Sequence, residues 1–447
     1  MKITPLKTSL ALSGLAFCLA APGTMAKPVS CTVALDQDVI PAGAPQKVVV
    51  KASLDAAQAP AKEANRPPVN LCLVIDRSGS MQHQGKLEKA KEAAINALRR
   101  LSPKDRFSLI AYGNDVKTLI PSQSASNLRS IENKIRSIRS GGGTALFGGV
   151  SQGAAEVRKQ LDAGFVNRLI LLSDGLANEG PSSPADLGRL GASLMKEGIS
   201  VSTIGLGNDY NEDLMTQLAE RSDGSTWFVE TVNDLAGIFD TELGDVLNVV
   251  ANSVTIEIEC AENVKPVRVI GRDGRIAGNK IEIQMNQLYG GQAKYVLVEV
   301  EVPAGENKVR RKVATARCHY AAAGTGAKHL SEPDPAFCSY SEDQQQIKDN
   351  MNIAVQADVN FNDIAIAQDQ AIELYEQGQK EEAYKVLKQQ AEQKATWGAA
   401  NGRDDLVQEA QDLDLEAEKL RQEGLSKSQR KSFRENSYGW RVENRKK

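Results

Sequence analysis

Histidine, aromatic residues and net charge are all scarce in this chain. Its three histidines (His83, His319 and His329) lie in separate regions and share no zinc-ligand spacing, which removes a histidine-based zinc centre. Net charge is −3 over 447 residues, so bulk attraction to a nucleic-acid backbone is excluded. Aromatics make up 5% of the chain. Past residue 26 no run approaches the ~20 apolar residues a membrane-spanning helix needs. The glycines at 141–143 lack the spacing and the preceding strand of a dinucleotide or phosphate loop. The stretch Asp209-Tyr210-Asn211-Glu212-Asp213 begins like a calcium loop but has Leu214 where glycine is required. It reads instead as a helix start capped by Asn211 or Asp209.

Cysteine is also sparse, with six residues, and its use depends on the amino terminus. Lys2 and Lys7 precede an apolar stretch over 9–21, and Thr24-Met25-Ala26 supplies small residues before a cleavage point, the pattern of a secretory leader. The mature chain is expected to begin near Lys27 and to be exported, either periplasmic or secreted. Phe17 stands before Cys18, where lipidation calls for a small residue. Export permits disulfides. Cys72 falls inside an apolar strand and reads as a free core thiol. Cys31, Cys260, Cys318 and Cys338 allow three pairings, of which Cys31 with Cys260 and Cys318 with Cys338 is the expectation adopted.

What the chain does have is a set of oxygen-bearing side chains at strand ends. Residues 71–75 (Leu-Cys-Leu-Val-Ile) form an apolar run followed by Asp76-Arg77-Ser78-Gly79-Ser80. A second run, 169–172, ends in Ser173-Asp174-Gly175, and Thr144 stands between the two in a triple-glycine loop. Short apolar runs bounded by turns are strands buried on both faces of a parallel sheet, and ligands bind at the carboxyl ends of such strands. Any one of these residues alone is a helix cap or turn former. Five together make a hard oxygen shell that suits Mg²⁺, with Mn²⁺ or Ca²⁺ as alternatives.

In these residues the chain resembles the von Willebrand factor A (VWA) domain and its metal-ion-dependent adhesion site, Asp-x-Ser-x-Ser with a distant Thr and Asp. The resemblance runs over about 67–248 and fills every metal position: Asp76, Ser78, Ser80, Thr144 and Asp174. It implies that a partner's carboxylate completes the metal coordination, hence binding rather than turnover. More broadly, the segment order resembles bacterial secreted proteins similar to calcium-activated chloride channel regulators, and inter-α-trypsin inhibitor heavy chains. That resemblance carries no implication of channel activity.

Periodicity divides the rest. Residues 30–35 and 46–54 are β-rich, and a soft Ala/Pro connector over 56–68 follows. After the metal domain, 254–259, 267–270, 280–285, 294–302 and 308–319 alternate Val or Ile with polar residues, as in antiparallel sheets with one wet face. The fold expected is therefore α/β, a doubly wound, mostly parallel sheet (67–250) inserted in an antiparallel β-sandwich (27–62 and 251–320). A linker (321–341) leads to an α-helical hairpin region (342–425), with Gly378 at its turn and a stretch over 371–387 that resembles one tetratricopeptide-like helix pair. The last helix of the inserted domain should end opposite the metal edge, making the sandwich a rigid pedestal. Residues 426–447 hold eight Lys or Arg against two Glu and read as a disordered basic tail, with weak contact to a membrane surface as its one functional expectation.

The expected function is metal-dependent binding of a protein or other carboxylate-bearing ligand, without enzymatic activity. A structural envelope protein whose metal only pins loops is the alternative. A metal-dependent hydrolase is the weaker one, because no base stands ready for an attacking water.

Overall fold

The computed structural model describes residues 29–58, 66–161 and 164–443; the expected leader lies outside them. The chain begins with β1 (Val29–Leu35), β2 (Val39–Pro41) and β3 (Gln46–Ala56). The inserted domain follows: β4 (Val69–Asp76), a 3₁₀ stretch (Gly79–Gly85), α1 (Lys86–Arg99), β5 (Arg106–Tyr112), β6 (Val116–Ser124), α2 (Leu128–Arg136) and α3 (Leu146–Arg158). It continues with β7 (Val166–Ser173), α4 (Pro184–Lys196), β8 (Ile199–Leu206), α5 (Glu212–Ser222), β9 (Thr226–Val229) and α6 (Leu235–Leu247). Then come β10 (Val249–Cys260), β11 (Lys265–Ile270), β12 (Arg275–Ala277), β13 (Lys280–Tyr289), β14 (Ala293–Val302), β15 (Arg310–Ala322), β16 (Lys328–Leu330) and β17 (Asp334–Ser341). Helices α7 (Gln344–Asp349), α8 (Ile353–Glu376), α9 (Lys380–Ala400), α10 (Asp404–Glu423) and α11 (Lys427–Tyr438) close the chain, with a π turn over Gly439–Glu443.

The inserted domain is a six-stranded sheet ordered β6-β5-β4-β7-β8-β9. Only the edge strand β6 is antiparallel to its neighbour; the other pairings are parallel. Every residue of β4, β7 and β8 is buried, because helices cover both faces, and so these strands are almost continuously apolar. Local signals fix the helix starts. Ser183 caps α4 by accepting from the Asp186 N–H, with Pro184 behind it. Asn211 caps α5 by accepting from the Leu214 N–H at 3.2 Å, so 209–213 is a helix start.

Two sheets flank this insertion in sequence, antiparallel except for the parallel pairing of β17 with β2. One is ordered β1-β3-β14-β11; the other is β12-β13-β10-β15-β17-β2, with β16 on β15. Their inner faces share one aliphatic core that includes Val48, Val50, Ile256, Ile258, Val298 and Val300. The segment over 321–341, expected to be a linker, instead carries β16 and β17. Its Ala336, Cys338 and Tyr340 alternate inward, and β17 pairs with both β15 and β2.

Sandwich and inserted domain meet at the amino-terminal ends of the parallel strands. The Arg168 guanidinium of β7, wholly buried, donates to the Gln287 side chain at 2.7 Å and the Tyr289 hydroxyl at 2.6 Å, both on β13. It also faces the buried Glu242 of α6 at 3.4 Å, which accepts from the Ser202 hydroxyl and, at 3.1 Å, from the Trp227 indole. Asp223, just after α5, accepts from the Asn286 backbone at 2.6 Å and pairs with Arg272 at 3.2 Å. Burial raises the Asp223 carboxyl, but Lys294, Arg272 and the backbone donors of β13 outweigh it and hold it below the usual carboxylate range. A buried network of this kind is costly to break, so the carboxyl edge of the parallel sheet stands on a fixed base.

The carboxy-terminal segment corrects the expectation of a disordered tail. Residues 427–443 are helical, and Phe433, Tyr438 and Trp440 are buried, with Trp440 stacked on Phe361 of α8 at 4.4 Å between ring centroids. Its basic residues fall at helical spacing on one face. Arg434 joins Asp213 of α5 at 3.0 Å and Asp369 of α8 at 2.6 Å. Arg430 lies 2.7 Å from Glu212 and 2.6 Å from Glu376. The charge of Lys427, Arg430, Lys431, Arg434 and Arg441 is thus directed at the protein's own acids; residues 444–447 lie outside the described residues.

The cysteine pairing also needs correction. All five described cysteines are free and buried, so neither expected bond is formed. Cys260 pairs with Ala314 in the β10–β15 register and Cys338 with Arg311 in the β15–β17 register. Each therefore lies several residues along β15 from Cys318.

Candidate metal centre

The five sequence-selected residues sit on three loops at the carboxyl edge of the parallel sheet. Asp76 ends β4, and its carboxylate is wholly buried. One oxygen accepts from the Ser78 backbone at 2.7 Å and the other from the Ser173 hydroxyl at 2.8 Å. The Ser78 and Ser80 hydroxyls stand 3.0 Å apart, and Ser80 donates to Asp174 at 2.7 Å. Burial pushes the Asp76 carboxyl up to about 6 against the lowering effect of these hydrogen bonds. A buried carboxylate without a cation is held at a cost, which favours a positive charge beside it.

Thr144 is brought in by the triple-glycine loop, which is laced to the Asp76 loop. Gly141 N–H donates to the Arg77 carbonyl at 2.7 Å and Gly79 N–H to the Gly142 carbonyl at 3.0 Å. At Gly143 an added Cβ would lie 2.7 Å from Asn114 Oδ1 and 2.8 Å from Asn178 Oδ1, so any side chain there would displace both asparagines. Asn178 in turn accepts from the Thr144 N–H at 2.7 Å. Gly175 keeps the centre open: a Cβ there would stand 3.3 Å from Thr144 Oγ1 and 3.5 Å from Ser80 Oγ.

Several residues around the centre carried no sequence signal. The Lys86 ammonium, first residue of α1, lies 2.8 Å from Asp174 Oδ2. Asn114 and Asn178 brace the glycine loop, and Ser173 was visible only as the neighbour of Asp174. His83 is exposed and lies outside the cleft lining.

Ser78, Ser80, Thr144 and Asp174 open into a cleft of about 580 Å³. Its far wall is formed by residues 208–213 and by Lys427, Arg430 and Lys431 of α11. Lys427 lies 3.0 Å from Asp209 and Lys431 2.8 Å from Glu212. Among the described residues no group of three or more His, Cys, Asp or Glu is placed to hold a metal, so any ion at this edge would rely on hydroxyls beside its two carboxylates. That donor set is all oxygen, which suits a hard divalent cation.

Residues 70–241 match the family model of the von Willebrand factor type A domain. The chain is 33% identical over 207 residues to the uncharacterized protein sll0103 of Synechocystis, covering 45% of this chain and 48% of that one. It is 28% identical over 199 residues to human inter-alpha-trypsin inhibitor heavy chain H4, covering 42% of this chain and 21% of that one. In fold it is similar to a von Willebrand factor type A protein from Catenulispora acidiphila, with a TM-score of 0.68 at 17% identity, covering 84% of this chain and 88% of that one.

This chain therefore carries a VWA domain, in a fold that combines its mostly parallel sheet with further sheets and a carboxy-terminal helical region. Proteins of this class typically mediate protein–protein interactions, are generally non-enzymatic, and often bind a divalent metal. The chain spans about half the length of the cyanobacterial relative and about a fifth of the human one. No described helix is long and apolar enough to cross a membrane.

Proposed function

We propose that this chain is an exported binding protein that holds Mg²⁺ through Asp76, Ser78, Ser80, Thr144 and Asp174 and captures a protein or other carboxylate-bearing partner through that ion. The observation that carries the reading is the convergence of Ser78, Ser80, Thr144 and Asp174 at the mouth of one open cleft, above the buried Asp76. Bound there, the ion supplies a Lewis-acidic position for a partner's oxygen. The chain's own residues do the rest. Asp76 places fixed negative charge beneath the site, Ser173 and the Ser78 backbone orient it, and Lys86 offsets part of the Asp174 charge. The remaining site is thereby less anionic towards a partner carboxylate. The sandwich serves as the pedestal, since its contacts are at the opposite ends of the strands.

Capture of envelope and extracellular components on the purified chain tests this reading, run with Mg²⁺, with chelator, and with a correctly folded Asp76→Ala variant. A partner held only by the metal-loaded wild type is the expected result. Equal capture in all three would leave the ion as a loop pin and shift the binding function to the sandwich or helices.

A further inference from the structure

We propose that the metal cleft selects a peptide segment in which the carboxylate on the ion is flanked by an apolar residue, held on Leu176, and by a second acidic residue, held on Lys427 of α11. This inference rests on the metal reading above and adds the partner's chemistry to it. At about 580 Å³ the cleft is far larger than one carboxylate and has the size of sites that enclose several groups. Two of its lining residues hold binding capacity that the chain itself leaves in water.

The first is Leu176. It follows Asp174 by two positions, lines the cleft and is 61% exposed. Among the described residues it is the one exposed large apolar side chain in that lining. Single exposed leucines are ordinary on protein surfaces. This one stands two residues from a candidate metal ligand, where a segment bound at the ion comes within its reach. Covering it with an apolar side chain is favourable in proportion to the area removed from water.

The second is Lys427. Helix α11 brings three cations to the cleft wall, and two of them are committed. The Lys431 side chain is 2% exposed against Glu212, and Arg430 is shared among Glu212, Asp213 and Glu376. The Lys427 side chain is 72% exposed and meets Asp209, itself 74% exposed, at 3.0 Å. An ammonium has three N–H donors, so one donated to Asp209 leaves two for a ligand's carboxylate. The exposed pair is screened by solvent and gains little, so sharing Lys427 with a second acid disturbs the wall little. Lys427 lies outside the residues matched by the family model, 70–241. This part of recognition therefore belongs to the chain's helical region and not to the VWA domain.

The test is fluorescence anisotropy of labelled, terminally capped Gly/Ser peptides on the purified full chain in saturating Mg²⁺. One peptide carries a single Asp, and a second adds Leu beside it in either chain direction. A third set adds a further Asp, one to four residues away on the other side. Affinity should rise about three- to tenfold with the leucine and about two- to fivefold with the second acid at low salt. Leu176→Ser should remove only the first gain and Lys427→Ala only the second, while Lys427→Arg keeps it. Added salt should erase the second-acid gain and leave the leucine gain. Free glutarate, a small dicarboxylate, should compete far less well than the unlabelled third peptide. Calorimetry of Mg²⁺ binding to each of these proteins should be unchanged, since neither residue is a candidate ligand. If Mg²⁺ binds but the peptides bind equally or not at all, if the variants leave both gains in place, or if glutarate competes as well as the peptide, this inference is overturned and the metal reading stands. If Mg²⁺ itself does not bind, the metal reading fails and this inference with it.

Discussion

Asp76→Asn is expected to stabilise the metal-free chain while abolishing its response to Mg²⁺. Asp76 is wholly buried and burial lifts its carboxyl to about 6, whereas an aspartate in the unfolded chain titrates near ~3.9. Because the folded value is the higher one, the contribution to stability is full below pH ~4 and is lost as pH rises through ~6. The gap between the folded and unfolded titrations sets a ceiling of ~3 kcal/mol, of which ~1–2 kcal/mol should remain after local relaxation. Asparagine keeps the shape and removes the charge. Its oxygen still accepts from the Ser78 N–H, and its amide can donate to the Ser173 hydroxyl, replacing the contacts made by the carboxylate. Urea unfolding in chelator, followed by tryptophan fluorescence, should place the variant above wild type at pH 7.5 and level with it near pH 4. A variant less stable than wild type at pH 7.5 in chelator would refute the reasoning. In Mg²⁺ at a hundred times its Kd, wild type should gain ~2.7 kcal/mol, and the variant nothing.

Glu242→Ala should cost ~3–5 kcal/mol, since it leaves the Arg168 guanidinium buried without its acidic partner; chemical denaturation measures it. Gly143→Ala should cost ~1–3 kcal/mol through the clash with Asn114 and Asn178 and weaken Mg²⁺ binding by calorimetry, because Asn178 then leaves the Thr144 N–H. Phe433→Ala, at a residue 1% exposed, should cost ~3–5 kcal/mol in a denaturant titration. A chain ended after Gly424 should show faster amide exchange at 208–213, the cleft wall that α11 braces; unchanged exchange would mean that α5 holds this wall without α11.

The convergence of the candidate ligands was legible because Asp76 and Asp174 end apolar runs, strand ends in a parallel sheet share one edge, and Thr144 follows a glycine loop between them. Asp76, Ser78 and Ser80 also fall within five consecutive residues, so one loop carries three of the five. Lys86 was not legible as a neighbour of Asp174, since 88 positions separate them and only the sheet order joins them. The α11 segment failed for a similar reason: its basic residues look solvated until Asp213, Asp369 and Glu376 are folded against them. Strand β17 was missed inside the segment over 321–341, where Ala336, Cys338 and Tyr340 alternate inward only over a short stretch that contains Pro335. The free state of the cysteines follows from packing across the sandwich, which spacing along the chain does not carry.

The central claim is that one divalent ion sits among these five side chains. Crystals grown with Mn²⁺ in place of Mg²⁺ and measured near the manganese absorption edge test it most directly. The account predicts a single strong anomalous peak enclosed by Asp76, Ser78, Ser80, Thr144 and Asp174, and its loss in Asp76→Asn. An empty cleft with the Lys86–Asp174 pair intact at saturating Mn²⁺, or a peak elsewhere, would contradict it.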